Sequence, residues 1–295
     1  MSNHPEIRLT RNIEDVLASD VDAVVIATPP VSHYEVASRA IDAGKDVFVE
    51  KPLVLDVQEG ERLVAQANAA KRILMVGHIM EYNPAIDWLK RYIAEGGLGN
   101  VYYLYATRVN LGQVRDNENA MWSLAPHDIS MISYLLDDYP LRAAALGSCY
   151  VRKGIEDVVF MNLEYAENRV AHIHTSWLDP HKVRSLTIVG QKRMAVFSDT
   201  DPQEKVKVFD KGVDVSLNFE TYAEYLTLRT GEVYIPLVDN TQPLALECRH
   251  FVECVRERKT PRSDGQDGLR VLRVLEAAQQ SLDSGGIPIQ IPHPA

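Results

Sequence analysis

Three short strings carry side chains that could do chemistry. The first is Val47-Phe48-Val49-Glu50-Lys51-Pro52, an apolar run that ends by presenting an acid, a lysine and a proline. It lies one strand–helix unit after Ala27-Thr28-Pro29-Pro30. Open α/β sheets collect ligands and chemistry at the carboxyl ends of their strands. A lysine beside an acid at such an end can hydrogen-bond a substrate hydroxyl, hold a cofactor ribose or help remove a proton. A Lys-Pro pair alone is more often a solvated loop, but Thr28-Pro29-Pro30 and His33 in the preceding unit shift the reading toward a site. The second string runs Trp122-Ser123-Leu124-Ala125-Pro126-His127-Asp128-Ile129-Ser130. Asp128 or Ser130 is expected to cap the helix that continues through Met131, Ile132, Leu135 and Leu136, which leaves His127 just outside the helix start and facing a cleft. Histidine titrates near neutral pH and suits proton abstraction from an alcohol, while a histidine packed at the cap is an equal reading of the residues alone. The third string, His78-Ile79-Met80-Glu81-Tyr82-Asn83-Pro84, follows an apolar run at another carboxyl end, with Pro84 opening a helix.

Two polar clusters suit binding rather than reaction. Arg108, Asn110 and Arg115 group around Leu111-Gly112-Gln113-Val114, and Trp177, Asp179, His181, Lys182 and Arg184 follow a second strand end. Each combines cations with hydrogen-bonding side chains, as a phosphorylated sugar requires, although a charged turn in water is the commoner explanation of either one alone. His172 and His174 share one face of a strand without a partner cluster, so no metal site is expected. No Ser-His-Asp arrangement sits at a nucleophile elbow.

The elements that must position these residues fall into two styles. The first third alternates strand and helix. Ala23 to Ala27, Val47 to Val49 and Ile73 to Val76 are continuous apolar runs, as strands buried on both faces require. Helices are expected around Val36 to Ile41, from about Val57 to Ala70, and from about Pro84 to Ala94. That order implies right-handed crossovers and a parallel sheet. From Val101 onward the rhythm changes to longer alternating strands: 101–110, 143–149, 158–165, 170–178, 186–189 and 194–197. Short polar turns join them, which points to a largely antiparallel sheet. Helices over about Leu244 to Arg258 and Gly268 to Ser281 close the chain. The expected fold class is α/β: a truncated Rossmann-type parallel sheet followed by an α+β domain with a large, mainly antiparallel open sheet. The domain boundary is placed at Gly99-Asn100, giving domains of 1–99 and 100–295.

One expected piece is not in the string. Dinucleotide-binding sheets begin with a strand, a G-x-G-x-x-G turn, a helix and a second strand ending in an acid. Gly97-Leu98-Gly99 follows a helix and precedes a strand, so it reads as a helix stop rather than a phosphate loop. In the strand order 3-2-1-4-5-6 the chain would hold strands 3 to 6, with the run from Ala23 left as an apolar edge. The sequence therefore reads as lacking the first two strands, with Met1 expected to be an internal methionine of a longer gene.

The bulk numbers agree with two soluble domains. The chain has 295 residues, 46% of them hydrophobic, enough for a full core. A formal charge of −10 argues against a nucleic-acid or anionic-membrane partner by bulk attraction. Cys149, Cys248 and Cys254 form no metal or disulfide pattern and read as reduced thiols of a cytoplasmic protein. No apolar run reaches transmembrane length.

Taken together, Ala27-Thr28-Pro29 with His33, Glu50-Lys51-Pro52, and the histidine of Pro126-His127-Asp128 resemble the glucose–fructose oxidoreductase and inositol dehydrogenase family, Gfo/Idh/MocA, from Pro5 to about Ser284. The resemblance implies a nicotinamide-binding Rossmann domain, with NAD favoured over NADP, and a substrate domain whose open sheet carries homodimer or homotetramer contacts. It puts Lys51 and His127 at the two commonest catalytic positions. It puts Thr28, Pro29, His33, Glu50, Lys51 and His78 at the cofactor. Many members carry an aspartate four residues before the histidine. Here that residue is Ser123, so His127 would depend on Lys51, substrate or water for its orientation. His78 with Glu81 to Pro84, Arg108 to Gly112, Glu118 to Ser123, and Trp177 to Pro180 with Lys182 and Arg184 further resemble the nucleotide-sugar 3-dehydrogenases. Arg108, Asn110, Arg115, Trp122, Lys182 and Arg184 would then bind the substrate, a UDP-N-acetylhexosamine or its uronate. The alternatives are a dehydrogenase of a free polyol or simple sugar, and a sugar-binding remnant without cofactor.

Overall fold

A computed structural model describes residues 7–215 and 226–292; Met1 lies outside them. The chain divides into two compact units: the residues up to Gly77 with Cys248–Leu269, and His78–Glu247 with the residues from Arg270 onward. The division falls at Gly77–His78, ahead of Gly99-Asn100, and the first unit draws in a segment from near the carboxyl end.

In the first unit a short helix α1 (Ile13–Leu17) precedes β1 (Ala23–Ile26), α2 (His33–Asp42), β2 (Asp46–Val49), α3 (Val57–Ala70) and β3 (Leu74–Val76). The three strands are parallel in the order β1-β2-β3. β2 and β3 are buried throughout, as their unbroken apolar runs require. β1 is not buried on both faces; it is the apolar edge expected of the run from Ala23, and Val25 is 61% exposed. Composition alone makes a strand apolar, and only its neighbours decide whether both faces are covered. Asp56 caps α3 by accepting from the Glu59 backbone N–H at 2.9 Å. Buried Asp46 ties the unit together, accepting from Ile73 N at 2.8 Å and from Arg258 Nη1 at 2.5 Å.

In the second unit α4 (Pro84–Ala94) leads to β4 (Val101–Val109), and α5 (Ala120–Leu136) leads to β5 (Arg142–Ser148), β6 (Val158–Glu164), β7 (Val170–Ser176), β8 (Val183–Gly190) and β9 (Met194–Ser198). β10 (Val206–Val215) and β11 (Leu226–Tyr234) form an extension; α6 (Pro243–Glu257), α7 (Gly265–Asp283) and β12 (Ile289–Gln290) follow. The sheet runs β11-β10-β9-β8-β4-β7-β6-β5-β12, antiparallel everywhere except between β4 and β7. Gly96 and Gly99, at φ +73° and +70°, end α4 and turn the chain into β4, which is the helix-stop role expected of that glycine cluster.

Alternation sorts the sheet's two faces. Leu104 and Ala106, Val159 and Met161, Ala171 and Ile173, and Leu186 and Ile188 point into the core formed with α4, α5 and the later part of α7. Tyr103, Tyr105 and Phe160 lie on the other face and are over 40% exposed. Phe160 stacks on His174 with ring centroids 4.4 Å apart, and His172 Nδ1 meets Asn162 Oδ1 at 2.9 Å.

Candidate active site

The first unit concentrates its polar groups beyond the carboxyl ends of its strands. The backbone there is tightly laced: Glu50 N donates to Ile26 O and Gly77 N donates to Val49 O, at 2.9 and 2.8 Å. His33 is fully enclosed at the start of α2, with Nδ1 2.8 Å from Pro52 O and Nε2 2.9 Å from Thr28 O. It thus clips the loop after β1 to the loop after β2. Ser32 Oγ donates to Thr28 Oγ1 and to Pro29 O within the same turn. Gly77 closes the third loop. A Cβ there would lie 2.9 Å from Glu50 Oε2 and 3.3 Å from Glu50 Cα, so only glycine leaves Glu50 its place. Thr28, Pro29, His33, Glu50 and Lys51 therefore share one end of one sheet, as the resemblance implies for a cofactor site. His33 supports that end from inside, because both ring nitrogens are committed to the protein.

The second unit holds a cavity of about 230 Å³. Arg108, His127 and Arg184 line it, together with Asn83, Asp199 and the apolar Ile79, Met80, Leu124 and Pro243. Asn110, Arg115, Trp122 and Lys182 lie outside this lining. Arg115 pairs with Glu118 at 3.0 Å, and Trp122 Nε1 donates to Gln279 Oε1 at 3.1 Å. His78 is buried with Nδ1 3.4 Å from Glu81 Oε1.

His127 is not just outside a helix start. α5 begins seven residues earlier, where Asn119 accepts from the Trp122 backbone N–H at 3.0 Å, and Pro126 and His127 sit inside it. An interior proline costs about 3 kcal/mol or more in an isolated helix. Burial of Met121, Ala125 and Ile129, each fully enclosed, offsets that cost. The half-buried imidazole is therefore presented from a packed helix rather than from a cap.

Asp128, expected as a capping residue, has a different partner. Arg108 Nε and Nη2 donate to its two carboxylate oxygens at 2.7 and 2.9 Å, with both residues buried. Burial pulls the Arg108 guanidinium down, but the Asp128 charge and hydrogen bonds, with Asp199 beyond, outweigh it and hold the guanidinium above its ordinary value. Arg184 stands directly opposite Arg108 in the β4–β8 register, and its Nη1 lies 3.6 Å from Asp199 Oδ2. Asp199 was not foreseen. In the sequence it belongs to a polar turn after β9 and shows its role only through strand pairing. The one signal available was phase: Arg108 and Arg184 alternate in step with buried Leu104–Ala106 and Leu186–Ile188, and an inward arginine demands a carboxylate.

A second polar hub holds the loop beside β7. Asp157 is fully buried and accepts from Trp177 Nε1 at 2.5 Å and from the Tyr150 and Val151 N–H groups at 2.6 and 2.8 Å. Burial works to raise this carboxyl, but the hydrogen bonds from Val151, Trp177 and Tyr150 prevail and hold it below its ordinary value. Trp177 is thus an anchored core residue; its carbonyl in turn accepts from Gly112 N and fixes the segment after β4.

The first unit is thus a parallel sheet with Thr28, His33, Glu50 and Lys51 beyond its strand ends, and the second is an open-sheet unit with a polar cavity. Two family models match: the oxidoreductase-family NAD-binding Rossmann fold over residues 1–78 and the GFO/IDH/MocA C-terminal domain over 86–196. The chain belongs to the Gfo/Idh/MocA family. It is 31% identical over 183 residues to UDP-N-acetylglucosamine 3-dehydrogenase of Acidithiobacillus ferrooxidans, covering 61% of this chain and 56% of that protein. It is 27% identical over 286 residues to scyllo-inositol 2-dehydrogenase (NAD(+)) of Bacillus subtilis, covering 92% and 78%. The solved structure of the Acidithiobacillus enzyme superimposes with a TM-score of 0.76 at 24% identity, over 95% of this chain and 84% of that one, which shows the shared fold. In sequence, the chain spans about half the length of the first curated relatives it matches. Among the described residues no helix is long and apolar enough to cross a membrane.

Proposed function

We propose that this chain acts in an NAD(P)-dependent sugar dehydrogenase that oxidises a ring hydroxyl, C3 of a UDP-N-acetylhexosamine. The observation that carries the reading is the cavity of about 230 Å³, lined by a half-buried histidine together with Arg108, Arg184 and Asp199. The likeness to a UDP-N-acetylglucosamine 3-dehydrogenase favours the nucleotide sugar.

Residues 1–99 serve the cofactor in this reading and 100–295 the substrate. Thr28, Pro29, Glu50 and Lys51 hold the nicotinamide end, with His33 and His78 in support. The close approach of Gly77 to Glu50 and the enclosed His33 clip are the preformed loop ends such a group needs. NAD is favoured over NADP. When bound, the dinucleotide supplies the two-electron acceptor for the hydrogen on C3. His127 takes the hydroxyl proton, assisted by Lys51. Holding that alcohol in line is most of what the fold adds.

The test is turnover, followed as NADH absorbance, with UDP-N-acetylglucosamine, inositol and glucose offered in parallel. Lys51→Ala and His127→Ala are each expected to lower kcat by about 10²–10⁴-fold while the circular dichroism spectrum stays that of the wild type. Wild-type rates in both variants would end the assignment. A preference for inositol would support the polyol reading, which the long alignment with the Bacillus enzyme favours. A second reading is a sugar-binding remnant without cofactor. Titration with NADH, watching its fluorescence, separates that reading from the enzyme.

A further inference from the structure

We propose that Arg184 and Asp199 are the specificity-determining pair of the cavity and that they select an uncharged sugar ring over its uronate. The inference deepens the sugar-dehydrogenase reading and rests on it.

The argument starts from register. Arg108 and Arg184 face each other across β4 and β8, an arrangement of like charges that destabilises a sheet unless each is compensated. The two are compensated differently. Arg108 is 5% exposed and spends its fork on Asp128 through two hydrogen bonds, so its charge is not on offer to a ligand. Arg184 is 43% exposed at its side chain and lies 3.6 Å from Asp199, beyond hydrogen-bond distance. That pair attracts without using up its donors or its acceptors. Both members also have anchored backbones. Asp199 N donates to Arg184 O at 2.9 Å, and the neighbouring Ser185 and Ser198 are paired in the β8–β9 register.

Arg184 and Asp199 in the wall cancel in formal charge, and the charge of Arg108 is cancelled by Asp128, which lies outside the lining. A sugar hydroxyl both donates and accepts, so neighbouring hydroxyls of a neutral ring can give a proton to Asp199 and receive one from Arg184 at once. A ring carboxylate can only accept. It would have to take Arg184 away from Asp199 and then stand beside an uncompensated anion. The size agrees with a single ring: 230 Å³ lies below the range of about 300–1,000 Å³ typical of pockets that enclose drug-sized ligands. Lys182 and Arg115, outside the lining, are the cations left for a diphosphate carried by such a ring.

The experiment compares UDP-N-acetylglucosamine with UDP-N-acetylglucosaminuronate on the full chain, by calorimetric titration and by kcat/KM with NAD. The wild type is expected to favour the neutral sugar at least tenfold in both. Asp199→Asn is expected to move the neutral-to-uronate ratio at least tenfold toward the uronate, and Asp199→Glu to keep the wild-type preference. A wild-type preference for the uronate, or an Asp199→Asn ratio equal to that of the wild type in a variant with an unchanged melting curve, overturns the inference. If Asp199→Asn does not fold, the wild-type ratio decides alone. If neither nucleotide sugar binds, the nucleotide-sugar reading fails and the same ratio is read with glucose and glucuronate. Binding of neither of those overturns the inference as well.

Discussion

Arg108 and Asp128 show how a single buried pair can organise this cavity. The guanidinium is buried on the inward face of β4 and the carboxylate on α5 next to His127, so the bond between them fixes the helix that presents the imidazole. A buried ion pair contributes little net stability over an apolar pair of similar size, yet removing one partner strands the other charge. Asp128→Leu is therefore expected to lower the unfolding free energy by about 3–5 kcal/mol, while the double variant Arg108→Met, Asp128→Leu recovers most of it. Urea titrations of the wild type, Arg108→Met, Asp128→Leu and the double variant check this, and full additivity of the two single effects would rule out the proposed coupling.

Among the elements, the loop from Tyr150 to Asp157 depends on one carboxylate. Asp157 is held below its ordinary value of 3.8, so its contribution to stability is complete above that pH and is lost as the pH falls through the lower, folded value. Asp157→Asn turns one acceptor oxygen into a donor that faces N–H groups. It is expected to cost about 1–3 kcal/mol at pH 7 and to flatten the fall in stability below pH 4. Thermal melts from pH 7 down to pH 3 read both effects, and an unchanged acid limb would show that the carboxylate is not the linked group. α5 shows the converse. Local rules stop a helix at Pro126, but the twelve buried residues of this segment carry it through.

For the whole molecule, the open sheet is the feature with the largest consequence. Its outer face presents Tyr103, Tyr105 and Phe160, each over 40% exposed, and assembly through this face is the expected route to a homodimer or homotetramer. Light scattering on the purified chain is expected to give one of those masses. Phe160→Asp is expected to shift it toward the monomer without loss of circular dichroism signal. A wild-type monomer at micromolar concentration would remove the assembly proposal.

Much of the architecture was written in short-range pattern. Continuous apolar runs marked β2 and β3, period-two alternation marked the strands of the large sheet, and α3 spans the Val57–Ala70 range expected of it. The places of Lys51 and His33 at strand ends were legible because each lies within a few residues of the strand that positions it. Asp128 and Asp199 were not legible as partners of Arg108 and Arg184. Their roles arise from a helix laid on a sheet and from strand register, and no local propensity encodes either. The residue types and the strand ends were therefore determined by the sequence itself. Which charges cancel was decided only by tertiary structure, because Coulomb and hydrogen-bond energies depend on distances of a few ångströms between residues far apart in the chain.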